Sequence, residues 1–103
     1  MNVIEKYGDI AKILNKDLVM VIAKTHTCSS CKSIVSILEH NLQYFDNIEK
    51  HSIYVDDIEK FRGEHLIFSV PTILIFNNGK EILRESKYIN YAKIDRLIEM
   101  FNK

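Results

Sequence analysis

Leu18-Val19-Met20-Val21-Ile22-Ala23, then Lys24-Thr25-His26-Thr27, then Cys28-Ser29-Ser30-Cys31-Lys32 is the stretch on which the architecture turns. Its first six residues form a continuous apolar run of strand length, the pattern of a strand buried on both faces of a sheet. After Thr27 the period changes. Cys31, Ile34, Val35, Leu38 and Leu42 recur at helical spacing, with Lys32, Ser36, Glu39 and Asn41 between them. A strand leading into a helix delivers the residues between them to the carboxyl end of a sheet, where functional groups collect in open α/β folds. Thr27 is the expected N-cap, which places Cys28 in the first helical turn.

Upstream, Val3, Tyr7, Ile10, Ala11 and Leu14 fall on one helical face, so a helix is predicted over the opening segment, with a turn at Asn15-Lys16-Asp17. Downstream, Ile53-Tyr54-Val55 reads as a second strand, and Asp56-Asp57 stand where they would cap a short helix over Ile58 to Arg62. Strand, helix and strand at this spacing predict a right-handed parallel crossover. Thr72 to Phe76, then Asn77-Asn78-Gly79-Lys80, then Glu81-Ile82-Leu83 predict an antiparallel hairpin, because the Asn-Gly pair supplies the positive φ angles of a tight turn. Asn90 is the expected cap of a last helix with Tyr91, Ile94, Leu97, Ile98 and Phe101 on its inner face. The expected fold is therefore α/β, a central mixed sheet flanked by helices, built as a single domain over residues 1–103.

A chain of 103 residues that is 47% hydrophobic can build one core without metal or disulfide staples. Fourteen basic residues balance fourteen acidic ones, so no overall field steers the chain to nucleic acid, and general nucleic-acid binding is not expected. The opening residues lack a basic stretch followed by an apolar run, so no secretory signal is expected, and the run Leu18 to Ala23 is far too short to cross a bilayer. A cytoplasmic monomer away from the membrane is the expectation.

Cys28 and Cys31 are the two cysteines. In a reducing compartment a pair at this spacing leaves reversible redox chemistry, metal binding or chance. At a helix start, unpaired N–H groups and the helix dipole favour a thiolate at Cys28, while Cys31 lies almost a turn further in. An exposed nucleophile attacks a substrate disulfide, and a second thiol within reach then displaces the reduced product. A zinc site would need two more ligands, and His26, His40, His51 and His65 show no paired ligand spacing.

Taken together, these features resemble the thioredoxin family. They are the strand Leu18 to Ala23, Cys28 and Cys31 followed by Lys32, Asp56 after the next strand, Val70-Pro71-Thr72, the turn at Asn78-Gly79, and the C-terminal helix. The resemblance runs from the first helix to the last. It implies a thioredoxin-like thiol-disulfide oxidoreductase that reduces protein disulfides in electron transport and cell redox homeostasis, with Cys28 attacking and Cys31 resolving. It also implies a cis Pro71 across from the cysteines, a substrate segment lying along Thr27, Val70 and Pro71, and a proline that blocks metal there. A flavin-dependent thioredoxin reductase drawing on NADPH is the implied electron donor, and the chain itself is expected to bind no cofactor and no metal. The rival readings are a redox-inactive thioredoxin-like protein-binding module and a Cys/His metal-binding protein.

The sequence also departs from that family. Where thioredoxins usually carry Trp-Cys-Gly-Pro-Cys, this chain has Thr27-Cys28-Ser29-Ser30-Cys31, so the tryptophan and both central residues are replaced. Ser29 and Ser30 offer hydroxyl donors to a Cys28 thiolate but lack the rigidity of proline. The family's buried aspartate, six residues before the first cysteine, aligns with Ile22, and its attendant lysine with Ser52. Losing both leaves neither charge buried alone. His26 is the titratable side chain nearest Cys28 in sequence; as an imidazolium it would favour the thiolate, and its plainer reading is an exposed loop histidine. Tyr88 and Tyr91 read as core or rim packing, and Lys32 as a solvated helix residue.

Overall fold

The structure, a computed structural model, describes residues 1–102. Among the described residues, five strands and four α-helices follow one another along the chain. The strands are β1 (Asn2–Ile4), β2 (Val19–Lys24), β3 (Glu49–Tyr54), β4 (Thr72–Asn77) and β5 (Lys80–Ser86). The helices are α1 (Ile10–Leu14), α2 (Cys31–Asn41), α3 (Glu59–Glu64) and α4 (Tyr91–Phe101). In the sheet the order is β1-β3-β2-β4-β5. β1 and β2 both run parallel to β3, whereas β4 is antiparallel to β2 and to β5, so the sheet is mixed.

The unbroken apolar run in β2 is explained by what covers it. Val19, Val21 and Ala23 pack on one face with Leu74 and Phe76 of β4, Ile10 and Leu14 of α1, and Phe61 of α3. Met20 and Ile22 point to the other face, against Ile73 and Ile75 of β4, Leu38 of α2, and Ile94 and Ile98 of α4. Successive strand residues alternate between faces, so a strand with helices on both sides must be apolar throughout. All five residues from Val19 to Ala23 have no solvent exposure, and full burial of a Val, Ile or Met side chain contributes about 1.5–3 kcal/mol.

The hairpin forms as its turn residues require, with Asn78 at φ 52° and Gly79 at φ 84°. Its tip is tied down because Gly79 N–H donates to Leu14 O at 2.7 Å and Asn78 N–H to Lys16 O at 2.8 Å. Asn90 caps α4, its side-chain oxygen accepting from Lys93 N–H at 3.0 Å.

Four expectations change. The opening segment is not one helix: Val3 belongs to β1, which pairs Asn2 with His51 and Ile4 with Ile53, and α1 begins only at Ile10 after a single turn of 3-10 helix over Tyr7–Asp9. Pairing with β3, distant in sequence, outweighs the local helical period. β3 starts at Glu49 and ends at Tyr54, longer and earlier than the apolar triplet suggested. α3 runs Glu59–Glu64 with Ile58 at its N-cap and no side-chain cap, so Asp56 and Asp57 are not its caps. Finally, α2 starts at Cys31, three residues later than a Thr27 cap implies.

The sheet register gathers one edge for chemistry. Ala23 pairs with both Ile53 and Thr72, Lys24 with Tyr54, and Thr72 with Ser86. The ends of β2, β3 and β5 and the start of β4 thus meet at one edge, with Pro71 one residue outside it.

Candidate active site

Two successive turns carry the chain from β2 into α2. Cys28 N–H donates to Thr25 O at 3.2 Å, so His26 and Thr27 are the corners of the first; Cys31 N–H donates to Cys28 O at 3.4 Å and closes the second. The first helical bond runs from Ile34 N–H to Ser30 O at 3.1 Å. Cys28 therefore stands just ahead of α2 rather than in its first turn. Ser30, not Thr27, occupies the N-cap, and it makes no side-chain cap bond. The turns use up the residues that the periodicity had given to the helix. The N–H groups of Lys32 and Ser33, at the positive end of α2, have no intrahelical acceptor.

Cys28 and Cys31 are joined in a disulfide with their Cα atoms 5.6 Å apart. Cys31 is buried and Cys28 half-buried, so an incoming sulfur meets Cys28 first. Ser30 Oγ lies 3.7 Å from Cys28 Sγ, within reach of a weak hydrogen bond to sulfur, and Ser29 is exposed. A groove of about 310 Å³ opens here, with Lys24, His26, Cys28, Cys31, Lys32 and Tyr54 in its wall. Thr27 is exposed and outside that wall; its Oγ1 lies 3.4 Å from that of Thr25, which does line the groove.

The Val70–Pro71 peptide bond is cis, and both residues are half-buried. They are not in the groove wall, but the Ala23–Thr72 pairing places them at the same end of the sheet. Tyr88 is not packed as expected: it is 93% exposed, in the loop between β5 and α4. Phe68, which the sequence reading passed over, is 88% exposed, three residues before Pro71. The one signal in the sequence is an aromatic three residues ahead of the proline. Tyr91, as expected, packs against the α2/α4 side of the core.

Ile22 and Ser52 are register partners in β2 and β3, wholly or almost wholly buried at 0% and 1% exposure. Ile22 faces the side covered by α2, so that position carries hydrocarbon and a neighbouring hydroxyl, with neither charge buried alone.

His26 is held from outside its own loop. Its ring stacks on Tyr54 with centroids 3.9 Å apart and planes 5° off parallel. Nε2 lies 2.8 Å from Asp57 Oδ2, and the His26 backbone N–H donates to Asp56 Oδ2 at 3.2 Å. The hydrogen bond to Asp57 holds the imidazole pKa above its ordinary value; partial desolvation opposes this, and the Asp57 and Asp56 charges add to it. One polar atom from each of His26, Asp56 and Asp57 fits within 4.8 Å, but the three are exposed and both carboxylates already contact His26, one at its backbone N–H and one at its ring. Among the described residues no helix is long and apolar enough to cross a membrane.

Over 72 residues the chain is 29% identical to thioredoxin-like protein YdfQ of Bacillus subtilis, covering 70% of this chain and 64% of that protein, which is less than two thirds of its length. It is 29% identical over 94 residues to thioredoxin of Rickettsia prowazekii, covering 89% and 87%. Among solved structures, Malassezia sympodialis thioredoxin superimposes with a TM-score of 0.82 at 22% identity, over 100% of this chain and 91% of that one. Fasciola hepatica thioredoxin gives 0.79 at 25% identity, over 98% and 99%. The sequence model of the family Thioredoxin matches residues 5–103, and with it the chain belongs to the thioredoxin family.

Proposed function

We propose that this chain is a thiol-disulfide oxidoreductase that reduces protein disulfides. The observation that carries the reading is the Cys28–Cys31 disulfide at the junction of β2 and α2, one sulfur accessible and the other buried. Starting from the dithiol, the Cys28 thiolate attacks one sulfur of a substrate disulfide. That S–S bond breaks, a mixed disulfide forms, and the first substrate sulfur leaves as a thiolate that takes up a proton. Cys31 then gives up its proton and attacks Cys28 Sγ, expelling the second substrate thiol. Two electrons and two protons pass to the substrate, and the Cys28–Cys31 disulfide is restored.

Other groups at this end of the sheet take supporting roles. Val70 and Pro71, just ahead of β4, offer backbone to an extended substrate segment, with Thr27 at its rim. Ser30 Oγ, 3.7 Å from Cys28 Sγ, is placed to donate to the thiolate, and Ser29 lies exposed beside it. With no carboxylate at Ile22 or Ser52, the Cys31 proton leaves through water or the departing substrate. A thioredoxin reductase is the proposed electron donor. The reading treats residues 1–103 as one monomeric domain acting in the cytosol, where cysteine pairs are kept reduced between turnovers.

Trapping tests it. A Cys31→Ser variant can attack but not resolve, so it should retain substrates on Cys28 as mixed disulfides, and Cys28→Ser should abolish reduction of a protein disulfide by a dithiol donor. Recovery of no trapped protein by a variant whose Cys28 is reactive would sink the reading. Partner binding that survives Cys28→Ser unchanged would instead mark a redox-inactive adaptor.

A further inference from the structure

His26 is a corner of the turn that ends at Cys28, and its anchors all come from the end of β3 and the turn into α3. That second turn is itself fixed, since Asp57 and Ile58 N–H both donate to Tyr54 O, at 3.0 and 3.2 Å. The stack on Tyr54, the 2.8 Å contact to Asp57 and the backbone bond to Asp56 therefore hold one turn against the other. His26 and Tyr54 also stand in the groove wall with Cys28 and Cys31. We propose that His26 is a positioning residue for Cys28: it pins the Thr25–Cys28 turn to the turn after β3, and its protonation tightens the pin and sets the charge in the groove it shares with the attacking sulfur. This rests on the reading of Cys28 as the attacking thiol.

The charges around the imidazole fix the direction of the effect. Asp56 and Asp57 face it from the turn after β3, Lys24 from the end of β2, with Nζ 4.7 Å from the Tyr54 ring centroid, and Glu5 borders a neighbouring groove that His26 also lines. Lys32 shares the cysteine groove from α2. When His26 is protonated, its pair with Asp57 is neutral; when it is not, Asp57 leaves a net negative charge that opposes a thiolate nearby. The Asp57 hydrogen bond raises the His26 pKa, so the protonated, thiolate-favouring form persists to higher pH than for a free histidine. The effect is present below that titration and lost as pH rises through it.

The test follows alkylation of Cys28 by iodoacetamide, a neutral probe, in the reduced full chain carrying Cys31→Ser, across a range of pH. His26→Phe keeps a ring on Tyr54 but removes the charge and the Asp57 contact. It should react about two- to fivefold more slowly than its parent at mildly acid pH, the span of an exposed ion pair, and converge on the parent at alkaline pH. His26→Ala, which also loses the stack, should be slower throughout. Asp57→Asn should bring the His26 titration, read from its imidazole proton resonances, down toward the ordinary histidine value. Rate–pH profiles of both His26 variants that superimpose on the parent, or a His26 titration unmoved by Asp57→Asn, would overturn the proposal. Failure of the functional reading looks different: an otherwise unaltered chain that reduces no protein disulfide at any pH.

Discussion

Placing a carboxylate at Ile22 and an amine at Ser52 gives a direct test of the uncharged pair buried beneath α2. The two residues are paired across β2 and β3 and buried to 0% and 1% exposure, with backbones about 4.8 Å apart as in any sheet. Ile22→Asp removes a buried aliphatic side chain and leaves a carboxyl group with no built partner. The first loss costs about 2–5 kcal/mol and the second about 1–3 kcal/mol. Ser52→Lys forces a long amine into a filled core, costing about 1–3 kcal/mol in packing before any charge is considered. Either change alone takes a large share of a total stability of about 5–15 kcal/mol. Together, the two charges face each other on one side of the sheet. A buried pair loses about 3–5 kcal/mol when one partner is removed, so the double variant should be about 3 kcal/mol more stable than the summed single losses. Urea unfolding of the four proteins at neutral pH measures this coupling directly. A coupling below about 0.5 kcal/mol, the scatter expected of independent sites, would refute the shared register and face. Rapid-quench resolution of a Cys28 mixed disulfide adds the chemical arm: the double variant, with a titratable group in place beneath α2, should resolve faster than the parent.

Three further outcomes follow from single contacts. Leu38→Ala, at a wholly buried position on α2 facing Ile22 and Ile94, should cost about 2–5 kcal/mol, read as a lower urea midpoint at constant m. Asn90→Ala removes the bond to Lys93 N–H that caps α4 and should cost about 1 kcal/mol in the same assay. The pH dependence of stability should carry opposite contributions from two histidines. His65 packs against Phe61 and Phe76, with ring centroids 4.4 and 5.6 Å away, and burial pushes its pKa down. Its contribution is whole above the unfolded pKa and is lost as pH falls through the folded one. His26, raised chiefly by its hydrogen bond to Asp57, stabilises below the unfolded pKa and loses that contribution as pH rises through the folded one. Urea midpoints against pH should therefore lose part of their acid slope in His65→Gln and part of their alkaline slope in His26→Gln.

What could be read of the fold in the sequence divides according to how local its cause was. β2 and β4 declared themselves because helices cover both faces, which forces Val19 to Ala23 and Thr72 to Phe76 into near-unbroken apolar runs. The hairpin turn and the α4 cap depend on residues within the turn and cap themselves, Asn78, Gly79 and Asn90, so they too were legible. The apolar pattern marks only the end of β3, because His51 and Ser52, both polar, are buried in its middle. His51 is accommodated by Glu49, its Nε2 2.7 Å from the carboxylate, which a hydrophobicity pattern does not register. β1 has no pattern of its own in the sequence. Three residues long, with Val3 exposed and Ile4 buried, it exists because the edge of β3 is there to pair with.

The same division runs through the site. Cysteine spacing is local, and it led to the pair that the structure joins. The position of Cys28 relative to α2 was not local in the same way: a threonine before a helical period looks like a cap, but two hydrogen-bonded turns intervene and hand that place to Ser30. His26 lay furthest out of reach, since its aspartate partners are 30 and 31 residues away in sequence. Those aspartates looked like helix caps because an acidic pair at a strand exit usually is one. In this chain their oxygens are turned to His26 instead, while α3 begins without a side-chain cap. The carboxylates nearest the start of α3 thus serve the loop that leads to Cys28 rather than the helix.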